Sequence, residues 1–547
     1  MFGRWYGLAA VVLLLAGCGG DQPGARITAM QIGGTSGTER AAGQTLRQGN
    51  GAEPQTLDPH RAEGVSASNI LRDLYEGLTI EAPDGSVIPG VAESWDISAD
   101  GRVYTFYLRE DARWSNGDPV TAEDFQYGLQ RSVDPATLSQ YSSILEPIEN
   151  AAAIISGDQP ATALGVDTPD AFTLVIRLNR PTPYLPGLLT HSTTYPVHKA
   201  SVEQHGSQFA RPGRLIGNGA YRLDEWVVQS HIKLVRNEHY RDNANTTIDV
   251  VYYYALENQD TELKRYRADE LDITYEIPYK QLAWIRDNLP DQLVISPYLA
   301  SYYYGFNMTR APFAGNANLR RALSLAIDRT IITERITGAG EIPAYSWVPP
   351  VTGYTRAEPI WSTWSQEERE SEARRLFAEA GYSPDQPLTI ELLYNTSANH
   401  KRIAVAIASM WKKVLGVETR LLNQEWKVFL ATRQSKETTQ VFRGGWVGDY
   451  NDAFTFSQLM HSDNGMNHSG YINSSYDALI VRAAEESNPE LRARLLTQAE
   501  GILLGDVPII PIYFYVSKHL VKPWVGGRQQ NIMDHHYTKN LYILKHE

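Results

Sequence analysis

Beyond residue 50 the alternation of apolar and polar positions switches repeatedly between a period of two and a helical period, which predicts a mixed α/β protein. Val103-Tyr104-Thr105-Phe106-Tyr107-Leu108 follows the turn signal Asp100-Gly101 and reads as a strand. Thr121-Ala122-Glu123-Asp124 then opens a helix with a box-like cap, and Ser365-Gln366-Glu367-Glu368 opens another that stops at Gly381. A strand over 388–394, a helix from about 399 to 415 closed by Gly416, and a strand over 417–422 form a βαβ unit. That unit requires a locally parallel sheet and a right-handed crossover. Gly217-Asn218-Gly219 marks a turn ahead of a strand at 220–223, and the run from Ile509 to Val516 has buried-strand character, with a polar tail after it.

The first residues follow a different pattern. Arg4 precedes an apolar run from Leu8 to Ala16, too short for a mature membrane helix but the right size for the core of a signal peptide. The run ends Leu15-Ala16-Gly17-Cys18, similar to the lipobox of bacterial lipoproteins. This predicts a signal peptide at 1–17, a lipid on Cys18, and a flexible anchored tether over 18–47, rich in Gly, Ser, Thr and Gln. Cys18 is the only cysteine, so neither an intramolecular disulfide nor a cysteine metal cage can form. The expected body is an exported protein, periplasmic or at the cell surface, held to the membrane through its lipid.

A length of 547 residues allows several domains, and the net charge of −13 argues against nucleic acid or an anionic lipid surface as partner. The 31 Tyr and 12 Trp offer rigid faces with a polar tip, suited to a wet ligand cavity or simply to packing. No HExxH, P-loop, GxSxG elbow or complete GxGxxG is present. A secreted hydrolase with a dispersed acid/base pair is the alternative from another class.

Leu57-Asp58-Pro59-His60, Pro89-Gly90-Val91-Ala92-Glu93-Ser94-Trp95, Trp114-Ser115-Asn116-Gly117 and Leu393-Tyr394-Asn395-Thr396-Ser397 resemble the solute-binding proteins of peptide-importing ABC transporters. Asn423-Gln424-Glu425-Trp426-Lys427 and Val521-Lys522-Pro523-Trp524 resemble the oligopeptide branch in particular, and the likeness runs from about residue 48 to the C-terminus. It implies a two-lobed type II periplasmic-binding fold with an extra domain, its mixed sheets flanked by helices. Lobe one would take 48–76, 200–299 and 516–547, the extra domain 77–199, and lobe two 300–515. It also implies a monomer that captures oligopeptides, delivers them to permease subunits, catalyses nothing and needs no cofactor or metal. A relative tuned to one ligand, such as a murein peptide, a nickel chelate or haem, is the alternative within the family.

A receptor for many peptides must hold backbone and charged ends. Gly444-Gly445-Trp446 suits close approach of another backbone, with Trp446 and Val447 beside it. By resemblance the facing strand is Glu63-Gly64-Val65, and Asp449 is the anchor for the peptide ammonium. Read alone, Asp449 is a turn aspartate. Arg443 and His400 fall on positions that meet the peptide carboxylate, and Arg433, Trp426, Tyr141 and Tyr303 on other cavity positions. Two departures stand out: Ala300 and Val447 replace a cysteine pair, and the uncharged Thr337 replaces a lysine used for very short peptides. Arg335 is two positions away and would point elsewhere, which implies weak dipeptide binding.

Overall fold

The computed structural model describes residues 38–546 except 352, 384 and 438. The expected signal peptide at 1–17, Cys18 and the tether through residue 37 lie outside the described residues.

Three larger sheets organise the chain. One has the strand order Thr45–Gly49, Val250–Tyr254, His231–Arg236, Tyr221–Val227. A second runs Ala92–Ile97, Val103–Leu108, Thr173–Arg177, Val166–Asp170, all antiparallel. The third has six strands: Ile342–Pro343, Ile509–Leu520, Leu293–Phe306, Val441–Val447, Thr389–Asn395 and Glu418–Gln424. Within it Thr389–Asn395 lies parallel to Glu418–Gln424, joined through the helix Ala398–Leu415, as the apolar pattern predicts.

The two longest strands are neighbours in this third sheet. Leu293–Phe306 and Ile509–Leu520 pair antiparallel over most of their length, with register shifts between Pro297 and Ser301 and between Tyr302 and Tyr303. A shift of register bends a strand locally and is a natural place for a hinge. The expected lobe boundaries at 299/300 and 515/516 therefore fall inside continuous strands. The cores do not follow those boundaries either. Leu263, Tyr266, Ile277, Leu282 and Ile285, expected in lobe one, pack with Tyr302, Tyr304, Trp411 and Tyr513 in one core. Residues 299–306 and 509–514 of these two strands are buried on both faces, so the core continues across them.

One further expectation needs correction. The tether does not reach residue 47, because Thr45–Gly49 is already a strand paired in parallel with Val250–Tyr254. Only Leu46 is apolar there, so the segment is held by backbone bonds that its composition does not advertise. The C-terminal tail, polar in composition, is folded in: Val525–Gly526 pairs with Tyr542–Ile543, and Val521, Met533, Tyr537, Leu541 and Ile543 are buried.

Candidate peptide-binding site

The strand Val441–Val447 lies in the middle of the six-stranded sheet, and its end delivers Gly448 and Asp449 to a cleft. Across the cleft Glu63 and Gly64 run into the helix Val65–Leu74, so these three residues are not the strand expected from sequence. Gly64 has φ +86, and a Cβ there would sit 2.8 Å from the Trp426 ring. Any side chain would both strain the turn and hold the two walls apart. At Gly445 a Cβ would come within 2.9 Å of the Arg443 guanidinium and 3.0 Å of the Tyr515 hydroxyl. That glycine keeps a lane of backbone open along the sheet.

The lane separates two cavities of about 110 and 210 Å³, which share Gly64, Val65, Trp426, Arg443, Gly445 and Val447 as wall. The first is also bounded by Glu63, Tyr141, Tyr303, Arg433, Trp446 and Asp449, the second by His400. The structure thus gathers the thirteen residues singled out for peptide binding around one slot. A wider cavity shares Glu257, Thr396 and Ser397 with the second and continues the slot outward.

Electrostatics divide the slot into unlike ends. Asp449 is 8% exposed. Thr455 Oγ1 donates to its Oδ2 at 2.9 Å, and no lysine or arginine among the described residues lies within ion-pair distance. Burial pushes its carboxyl up to about 7, against the pull of the Thr455 bond. His191 Nε2 stands 3.6 Å from Asp449 Oδ1, but burial, with His535 and Arg72, pushes this imidazole down to about 3. The ring is therefore neutral, with Nδ1 accepting from the Thr193 N–H and Nε2–H turned toward the carboxylate. It orients the acid without neutralising it. Tyr141 lies against His191 at 4.9 Å between ring centroids and against Trp446 at 6.0 Å.

The other end carries a guanidinium and an imidazole without acidic partners among the described residues. Arg443 donates to the Tyr515 hydroxyl and lies 4.8 Å over the Tyr302 ring; among the described residues its Nε has no partner and no carboxylate is in ion-pair reach. His400 is the third residue of its helix, its N–H donating to the Ser397 cap, and its Nδ1 is buried without a partner. Burial, Arg443 and Lys518 hold that imidazole well below its ordinary range, so it is neutral rather than the cation expected from sequence. A carboxylate arriving beside it would reverse that balance. Between the ends, Arg433 is 6% exposed and packs 5.2 Å over Phe429; burial pushes its guanidinium down, offset in part by Tyr303 and Glu63. The Nε1 donors of Trp426 and Trp446 are also unpartnered.

Reasoning from sequence missed His191, Arg72 and Lys518, all of which line these cavities. The nearest signal for His191 is its place before Ser192-Thr193-Thr194, where it caps a short 3₁₀ turn. Thr337 is buried, donates to Glu341 at 2.7 Å and faces away from both cavities, while Arg335 is exposed. Glu341 in turn holds Lys518 at 3.2 Å.

Ala300 stands directly opposite Val447, and Gly448 N–H donates to Leu299 O one step along. The Ala300–Val447 pair is therefore a non-hydrogen-bonded one, a class with Cα atoms about 4.5 Å apart. Cysteines at both positions are expected to oxidise and to add about 2–4 kcal/mol of stability, read as a denaturant midpoint with and without reductant. Thiols that stay free in air-oxidised protein would contradict this geometry.

Residues 86–468 match the family model described as "Bacterial extracellular solute-binding proteins, family 5 Middle". The periplasmic oligopeptide-binding protein OppA of Escherichia coli is 45% identical over 516 residues, 93% of this chain and 94% of that protein. The structure of Haemophilus influenzae OppA in complex with the peptide RPPGFSPFR has a TM-score of 0.90 at 39% identity, covering 93% of this chain and all of that one. The E. coli murein tripeptide-binding protein MppA gives 0.91 at 42% identity over the same shares, whereas its unliganded open form gives 0.65 at 41%, covering 93% and 99%. In overall shape the chain is thus nearer to that MppA structure and to peptide-bound OppA than to the unliganded open form. The chain belongs to family 5 of the bacterial extracellular solute-binding proteins.

Proposed function

We propose that this protein is a periplasmic receptor that captures oligopeptides between two closing lobes and delivers them to an ABC importer. The observation that carries the reading is Asp449, a buried carboxylate with no lysine or arginine partner among the described residues, at one end of a slot whose far end holds the Arg443 guanidinium and the neutral, unpartnered His400. A peptide supplies both missing charges, its ammonium at Asp449 and its carboxylate toward Arg443 and His400, while the open lane at Gly445 accepts its backbone. Nothing in this arrangement reads one particular side chain throughout, so many sequences fit. The relatives compared above are named as binding proteins, and the reading includes no catalysis and no cofactor.

The finer parts of the reading come from the sequence: export by residues 1–17, a lipid on Cys18, and a tether that ends before Thr45. The lobes would divide near the register shifts between Leu293–Phe306 and Ile509–Leu520, with the sheet of Ala92–Ile97 and its neighbours in the extra domain. Native mass spectrometry of protein purified without refolding is expected to show a ladder of added masses from mixed peptides. A single discrete adduct would establish a specialised receptor, and a metal-containing one would remove Asp449 as an ammonium anchor.

A further inference from the structure

The helix Val65–Leu74 places Val65, Ser68 and Arg72 three and four residues apart, on one face, and all three line the cavity next to Asp449. Arg72 is 7% exposed. Its Nη2 donates to Asn69 Oδ1 at 2.7 Å, its Nε is buried without a partner, and no carboxylate among the described residues lies within ion-pair distance of it. The acids nearest in charge are engaged elsewhere. Glu81 is bonded to His535 at 2.6 Å, and Asp73 accepts from the Tyr253 hydroxyl at 2.7 Å and from Thr538 N–H at 3.0 Å. A guanidinium taken out of water without a counter-ion is costly, and a carboxylate meeting it can accept two parallel hydrogen bonds. We propose that the cavity wall around Arg72 receives an acidic side chain on the first residue of the bound peptide.

The position follows from neighbours. Arg72 and His191 bound the same cavity, and His191 touches Asp449, where the ammonium sits on the peptide reading on which this inference rests. The side chain nearest that ammonium belongs to residue one. In an extended peptide the side chain of residue two points the opposite way from that of residue one, and Arg433 and Glu63 are a further charged pair bounding this cavity. Arg433 is already within the field of Glu63, whereas the acids whose field reaches Arg72, Asp73 and Glu81, have their oxygens bonded to other groups.

The test is calorimetric titration with Glu-Ala-Ala, freshly dissolved Gln-Ala-Ala, Lys-Ala-Ala, Ala-Glu-Ala, Ala-Gln-Ala and Ala-Ala-Ala. The natural protein is expected to bind Glu-Ala-Ala about tenfold or more tightly than Gln-Ala-Ala, with Lys-Ala-Ala weakest. In Arg72→Gln the Glu-to-Gln ratio should fall to near one, and in Arg433→Gln it should persist. The ratio is taken within each protein, so a general loss of affinity cancels. Equal affinities of the natural protein for the Glu, Gln and Lys peptides would overturn the proposal without any variant. So would an acidic preference found only at position two, or one that survives Arg72→Gln. If Ala-Ala-Ala binds and the acidic preference is missing, this inference alone fails; if no peptide binds, the peptide reading falls with it.

Discussion

Asp449→Asn is expected to lower affinity for an alanine tripeptide by about two to three orders of magnitude while the fold survives. The side chain is 8% exposed, and its Thr455 and His191 neighbours are both neutral. With an ammonium in place the carboxylate gains a charge-assisted bond in a site that water reaches poorly, and with asparagine the ammonium is buried unmatched. Stability should move the other way. A carboxyl whose folded value is raised to about 7 costs the folded state nothing below its unfolded value near 4, and progressively more as pH rises through 7. Asparagine removes that cost. The variant measured without peptide at pH 8 should therefore melt higher than the natural protein, and the two should converge toward pH 4. Weak binding together with a lowered melting temperature would point to misfolding instead, and unchanged binding would falsify the anchor.

The same residues show how far a sequence speaks for a site. Asp449 was legible because it follows a strand whose glycines and tryptophan are contiguous, so that Gly444 to Asp449 arrive together. The helix after Thr121 and the unit from Thr389 to Gln424 were legible for the same reason, since their caps and periods are local. Glu63-Gly64-Val65 was not, because a φ of +86 at Gly64 turns an apparent strand into the lead of a helix. Neither was the tail, where two-residue strands pair across a gap too long for any periodicity to register. Arg72 and His191 stand more than 250 residues from Asp449, and each is unremarkable in its own segment. What makes them part of the site is tertiary contact between distant segments, which no local pattern encodes.

Peptide affinity is expected to peak between about pH 7 and 8 and to fall about tenfold per unit below that, reaching roughly a hundredfold loss near pH 5. Below 7 the Asp449 carboxyl of the unbound protein is mostly protonated, and the peptide must displace that proton to form the pair. Above about 8 the peptide's own α-amino group loses its charge. His191 contributes nothing in this window, because it stays neutral down to about 3. His400 works in the opposite direction: it is held neutral by burial, Arg443 and Lys518, and a peptide carboxylate would favour its protonation. Its effect would strengthen binding in acid, so a fall in affinity cannot come from it. Titration calorimetry at pH 6 in two buffers of different ionisation heat should therefore report about one proton released per peptide bound. Asp449→Asn should flatten the acid limb and abolish the release. Proton uptake at pH 6 in the natural protein would mean that His400, and not Asp449, governs the coupling. An N-acetylated peptide separates the charges once more: with no ammonium to offer, it should bind weakly at every pH and show no acid limb beyond that of its carboxylate.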